Sequence, residues 1–318
     1  MKGSETGTVH RSVIAGVAIS SVMFTVAGTP SILGSVASLA LPVPQLFYYS
    51  KFGRFRGMIV FVVSLGIASL ALRFLNYHPV VLHLFLLGSL GFILSEVLRK
   101  NYSIEVTILR SAVGLIVLGS LVLVYYSAVR WENPLTMIMS YISTTVAENI
   151  DAYAQLGGAS DQIELLKRHS EQITRIFFGI FPSILTVGTL FLVWFNVMAG
   201  RALFVKHGMW YPDFGDLSRW KLRDRYVWLV IISGLLLIPP FTGVKIIGLN
   251  VLIIMLFLYL FQGLSVIHFY FDAKRVPTVI RLIGYFLIFA QQFVMLLVVG
   301  LGLIDVWADF RKLQRAKQ

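Results

Sequence analysis

Residues 246–271 read IIGLNVLIIMLFLYLFQGLSVIHFYF, twenty-six positions without an Asp, Glu, Lys or Arg. As an α-helix this stretch rises about 39 Å, more than the roughly 30 Å hydrocarbon core of a bilayer. Lipid offers no partner to a free backbone N–H or C=O, so a spanning segment must be a helix or part of a closed barrel. Alternation of the barrel kind is missing from the run. A membrane-spanning helix is the reading.

The same pattern recurs along the chain. Apolar runs fall at 12–29, 31–50, 55–74, 80–98, 104–129, 176–200, 227–240, 246–271 and 279–304. The residues are 57% hydrophobic and 13% charged, with mean hydropathy +0.81. Soluble domains carry about 25% charged residues, so this chain cannot cover a water-facing surface. Pro30, Pro42, Pro44, Pro79, Pro239 and Pro240 sit at or near run ends, where a missing N–H does least damage. The expected fold is all-α, a polytopic transmembrane bundle of eight or nine spans with an extracytoplasmic helical hairpin. It divides into a five-span region at 1–130, the hairpin at 131–175 and a C-terminal membrane region at 176–318, which carries a basic cytoplasmic loop at 201–225. The run at 12–29 reads as a retained first span and not as a cleaved leader, because the next run follows almost at once.

Basic residues orient the spans. With nine crossings and the N-terminus inside, the inner segments hold sixteen Lys and Arg and the outer segments ten. If 227–240 dips in and returns, the split becomes seventeen to nine, so charge does not choose between eight and nine crossings. The expected location is the bacterial cytoplasmic membrane, with the N-terminus in the cytoplasm. The net charge of +12 is spread in short clusters between apolar runs. Clusters of that kind meet an anionic inner leaflet, and no nucleic-acid partner is expected.

The hairpin at 131–175 reads as two helices. The first runs from about Pro134 and stops at Gly157–Gly158. The second is expected to start with a capping box, Asp161 with Glu164 three residues on. Met137, Ile138, Tyr141, Ile142 and Val146 recur at helical spacing, which fits a hairpin lying on the outer surface or a lid over a cavity.

Chemistry-bearing motifs are few. The chain has no cysteine, which excludes disulfides and thiolate sites. No phosphate-cradling loop, zinc-binding helix or dinucleotide fingerprint is present, and the histidines lack metal-like spacing. No catalytic residue, metal or cofactor is expected. What remains is polar side chains at membrane depth, which tend to face a bundle interior or water. Gln262, Ser265 and His268 follow at three-residue steps and share one helical stripe. Asn250 lies further out on the same run, and Gln291 and Gln292 lie deep in the last. These six are the candidate lining of a site for a small or amphipathic ligand. Hydrogen bonding between helices explains the same residues.

Two features could receive a membrane or cytosolic protein partner. Gly16 and Ser20 have the small-xxx-small spacing that lets helices approach closely. The inner loop mixes aromatic and basic residues, with Trp210, Tyr211, Arg219 and Trp220 as docking candidates. An interfacial aromatic belt explains the loop equally well. Glu96 and Arg110 are expected to pair across a short turn, Arg73 to snorkel, and Asp305 and Asp309 to flank an interfacial Trp307.

The chain resembles the YybS-type family of bacterial inner-membrane proteins. The resemblance rests on Leu41-Pro42-Val43-Pro44 followed by the basic turn 51–56, on Phe261-Gln262-Gly263-Leu264, and on Asp305-x-x-x-Asp309-Phe310-Arg311-Lys312. It covers almost the whole length. The family is distantly similar to substrate-binding S components of energy-coupling-factor vitamin transporters and to the cell-shape protein MreD. It implies a transport-related, ligand-binding component, or alternatively a scaffold in cell-envelope biogenesis, with no catalytic residues to carry over.

Overall fold

A computed structural model describes residues 2–77 and 81–312, with side chains from Arg11 onward. His78, Pro79 and Val80, at the start of the fourth run, and the tail residues 313–318 lie outside the described residues. The fold is all-helical, with no strand among the described residues. The chain forms two compact units. The first comprises Met1–Trp131 with Gly188–Asp213, and the second Glu132–Val187 with Phe214–Gln318. Residues 188–213 thus group with the N-terminal helices.

In the first unit, α1 (Lys2–Ala27) packs on α3 (Pro42–Phe74), and α2 (Ile32–Ala40) connects them. The proline at position 42 starts a new helix because it has no N–H to extend the old one. α3 is itself broken at Gly53, whose φ of +82° lies in the left-handed region. Its two arms fold back on each other: a Cβ on Gly57 would lie 2.6 Å from the Tyr49 Cα. The runs at 31–50 and 55–74 therefore occupy separate arms. Phe24, Leu41, Phe61, Leu72 and Leu84 fill the core between α1, α3 and α4 (Val81–Leu98). α5 (Ile104–Arg130) packs on α4, with Ile93 against Gly114. The expected Glu96–Arg110 pair does not form. Glu96 receives Arg54 Nε and Nη2 at 2.9 and 2.7 Å and the Tyr49 hydroxyl at 3.0 Å. Arg110 instead sits 4.1 Å from the Tyr102 ring centroid, a cation–π contact.

The second unit begins with α6 (Pro134–Gln155) and α7 (Ser160–Arg168), the expected hairpin. Asn133 caps α6 through the Leu135 N–H, and Gly157 turns the chain with φ +82°. The expected capping box is not made. Ala159 is the N-cap of α7, and Glu164 accepts from Arg168 instead. On α6 the buried face is Ile142 and Ile150, whereas Tyr141 is 71% exposed.

α8 (Ser170–Lys206) carries Pro182 inside it. At that point the Asn250 side chain enters the helical ladder, donating to the Gly179 carbonyl and accepting the Ser183 N–H, both at 2.8 Å. α9 (Val227–Leu235) has nine residues and rises about 13 Å, too short to cross a bilayer alone. It lies beside α10 (Thr242–Ala273), where Gly248 accommodates Leu236 and the Ser233 carbonyl. The run at 279–304 is not one straight helix. α11 (Thr278–Ala290) and α12 (Gln292–Ala308) meet at a 103° bend on Gln291, whose φ and ψ of −115° and 108° are extended.

Among the described residues, five helices are long and apolar enough to cross a membrane, or six if the bent pair is one span. The stretch counted as one from Ile32 to Phe74 contains the fold-back at Gly53, and Arg11–Ala27 is a shorter apolar helix. One test follows from the fold-back. Gly57→Leu drives a side chain into the Tyr49 backbone, and overpacking of this kind costs about 1–3 kcal/mol or more. Gly66→Leu meets open space. Thermal unfolding in detergent is expected to show a lowered midpoint for the first and an unchanged one for the second.

Candidate functional site

Gln262 and Ser265 lie three residues apart on α10, and both are buried. They face α12 and residues 217–222, and two glycines allow a close helix crossing there. A Cβ on Gly263 would stand 2.0 Å from the Val298 carbonyl oxygen, and one on Gly302 would stand 2.1 Å from the Tyr259 carbonyl oxygen. The helices can meet only with hydrogen at both positions. Asp305 follows one turn after Gly302 and is fully buried.

α12 ends at Asp309, which adopts the left-handed conformation with φ 40°. This turn brings Arg311 back onto the helix it has just left. Arg311 Nη2 donates to Asp305 Oδ2 at 2.7 Å, and both side chains are 0% exposed. Arg311 Nη1 faces the Ser218 and Trp220 carbonyls and the Ser265 hydroxyl, each at 2.8 Å. The Ser265 hydroxyl proton is shared among the carbonyls of Leu217, Ser218 and Trp220 at 2.8–3.0 Å. Gln262 Nε2 donates to Asp305 Oδ2 at 3.1 Å, and its Oε1 accepts the Leu222 N–H at 3.2 Å. Asp305 Oδ1 accepts the Phe310 N–H at 3.2 Å.

The chemistry of this cluster is satisfaction, not reactivity. A buried carboxylate needs several donors to remain charged. Asp305 has a guanidinium, an amide and a backbone N–H. The carbonyls of Ser218, in the short helical turn Leu217–Arg219, and of Trp220, just after it, take their donors from Arg311 and Ser265. Asp216 caps that turn by accepting the Ser218 N–H at 2.9 Å, and the Ser218 donors hold its carboxyl below the ordinary range. Nearby, Lys221 lies 3.2 Å from Asp224.

The other candidates do not converge on this point. His268 contacts the Tyr285 hydroxyl at 2.8 Å and Asp272 at 3.4 Å, and its side chain is 42% exposed. Asn250 serves the break at Pro182. Gln291 and Gln292 sit exposed at the bend between α11 and α12. Among the docking candidates, Gly16 packs against Tyr48 and Ser20 is fully buried, so both belong to internal packing. Tyr211 donates to the Val197 carbonyl at 2.6 Å, and burial raises its pKa. Trp220 is half-buried and lends its carbonyl to the cluster. Trp210 is 61% exposed, and the Arg219 side chain 65% exposed beside Asp216. No group of three His, Asp or Glu that could hold a metal occurs among the described residues.

In the sequence Asp305 reads as flanking an interfacial Trp307, and Arg311 only as part of the ending Asp305–Lys312; the structure buries both. The available signal was spacing: a lone acid late in an apolar run, six residues before an arginine.

The helices and the buried cluster define a polytopic α-helical membrane protein whose intramembrane polar groups bind one another. The chain belongs to the family described as "Predicted membrane protein (DUF2232)", which it matches over residues 18–306. No curated protein and no solved structure matches it.

Removing one partner of a buried ion pair costs about 3–5 kcal/mol, whereas apolar replacement of both is often neutral. Arg311→Ala is therefore expected to lower the thermal unfolding midpoint markedly, and Asp305→Leu with Arg311→Met to recover most of that loss. Equal losses in the two variants would mean that the pair is not the unit.

Proposed function

We propose that this chain is a non-enzymatic component of the bacterial cytoplasmic membrane that works by docking a protein partner on its inner surface, in a scaffold or assembly role. The observation that carries this reading is the hydrogen-bonded cluster around Asp305 and Arg311. Each polar side-chain atom of Gln262 and Ser265 already has a protein partner, so the stripe holds the inner loop in place instead of lining a ligand cavity. The turn so held keeps the Arg219 side chain 65% exposed, which is the form of a fixed docking surface.

The topology we propose has eight crossings with both termini in the cytoplasm. The fold-back at Gly53 supports counting 32–52 and 54–74 as two crossings. α8 and α10 run in the same direction, since Gly179 and Ser183 meet Ile246 and Asn250 in register. The connection between them must then return across the bilayer, through α9 and its flanking turns. α11 and α12 support a re-entrant pair. The start of α11 holds the end of α10 through Arg281 on Asp272, and the chain after α12 returns to it through Phe310 on Tyr270. Both ends of the pair thus lie at one end of α10. This arrangement puts twenty Lys and Arg inside and six outside, a stronger bias than either sequence-based count. It also leaves the α6–α7 hairpin outside.

The absence of cysteine makes two tests direct. Single cysteines at Pro277 and at Lys312 are expected to react with an impermeant maleimide only after the inner side is opened. Reaction of either from outside in intact cells would overturn the topology. A photo-crosslinking residue at Arg219 is expected to capture a protein of envelope synthesis that a residue at Lys167 does not. Capture of a nucleotide-binding subunit would instead favour a transport complex, and no capture at Arg219 would refute the docking surface.

A further inference from the structure

The end of α10, the start of α11 and the chain after α12 meet in one place, and basic side chains collect there. Lys274 and Arg275 are exposed at the end of α10. Arg275 is held in the left-handed conformation, φ 50°, by the tight turn into α11. The Tyr270 hydroxyl, one turn before Lys274, donates to the Phe310 carbonyl at 3.1 Å. It thereby fixes the chain end beside α10, with exposed Lys312 two residues further on. The local carboxylates do not neutralise this rim. Asp272 is taken by Arg281 and His268, and Asp309 offsets at most one charge.

Next to the rim lies an unusually bare apolar surface. In α11 only Ile288 is buried. Leu282 is 64% exposed, Phe286 70%, Phe293 of α12 72% and Trp307 68%. An apolar face with cations and a Trp gathered at one end matches a phospholipid, whose acyl chains take the face and whose phosphate takes the cations, with the Trp at headgroup level. A protein partner would instead need acidic groups opposite three cations, or a cost for leaving them dry.

We infer that the rim of Lys274, Arg275 and Lys312, with the apolar faces of α11 and α12, is a docking site for anionic phospholipid. The re-entrant pair is then a wedge held in one leaflet by lipid on one side and by α10 on the other. The site rests on the topology above only for its side, the inner leaflet, where anionic lipid is expected to meet basic clusters.

The test is lipid retention. The full-length chain is extracted from vesicles of phosphatidylcholine mixed with phosphatidylglycerol, and bound lipid is counted by native mass spectrometry. The wild type is expected to keep phosphatidylglycerol several-fold over phosphatidylcholine. Lys274→Gln with Arg275→Gln and Lys312→Gln is expected to lose most of that preference at an unchanged unfolding midpoint. The same charge removal on the outer hairpin, Lys167→Gln with Arg168→Gln and Arg175→Gln, is expected to keep it. No preference in the wild type, a preference that survives in the rim variant, or an equal loss in the hairpin variant would overturn the proposal. The cysteine labelling above is independent of lipid counting. An outside position for Lys312 with rim-dependent retention would overturn the leaflet and the topology together, and would leave the rim as the lipid contact.

Discussion

The ion pair between Asp305 and Arg311 is the interaction on which the second unit depends. Moving two charges out of water costs several kcal/mol per ion even after relaxation. A dense set of hydrogen bonds offsets that cost, although the Arg311 Nε is buried without a partner. The set here draws donors and acceptors from α10, from α12, from the turn at Leu217–Arg219 and from the chain after Asp309. Three stretches distant in sequence, the turn, α10 and α12 with the residues after it, are thus joined through one ion pair. Gly263 and Gly302 make this possible, because the two helices must touch before Asp305 can reach Gln262. In a medium where apolar burial barely distinguishes protein from lipid, polar contacts and close packing are the available adhesives.

A second polar device follows the same logic on a smaller scale. Pro182 removes a donor from α8, and beside it the Asn250 amide bridges the Gly179 carbonyl and the Ser183 N–H, joining α8 to α10. In both places a polar side chain at membrane depth compensates a backbone irregularity nearby. The side chains of both devices face protein.

Much of the fold was legible in the sequence because apolar runs have only one economical reading in lipid. The runs at 80–98, 104–129, 176–200 and 246–271 correspond to α4, α5, α8 and α10. The hairpin could be read too, since Gly157 punctuates it plainly. Composition could not reveal the bend at Gln291, where a residue of ordinary helix propensity turns extended within an apolar run. The nine-residue length of α9 was hidden for a similar reason, since apolar residues continue through the turns after Leu235. The candidate site was half legible. Gln262 and Ser265 stood out as polar residues in an apolar helix. Arg311 did not, because basic residues near a chain end look like surface charge until a left-handed Asp309 folds one inward. The capping box at Asp161 was a pattern without its geometry, as Glu164 found Arg168 four residues on.

The cluster around Arg311 holds residues 217–222 against α10. The most direct test is hydrogen–deuterium exchange at the Leu222 amide, which donates to Gln262 Oε1 at 3.2 Å. In the wild type this amide is expected to exchange as slowly as amides within α10. In Gln262→Leu it is expected to exchange much faster, while the α4 amides of the first unit stay protected. Fast exchange at Leu222 in the wild type, or no change on substitution, would contradict the account.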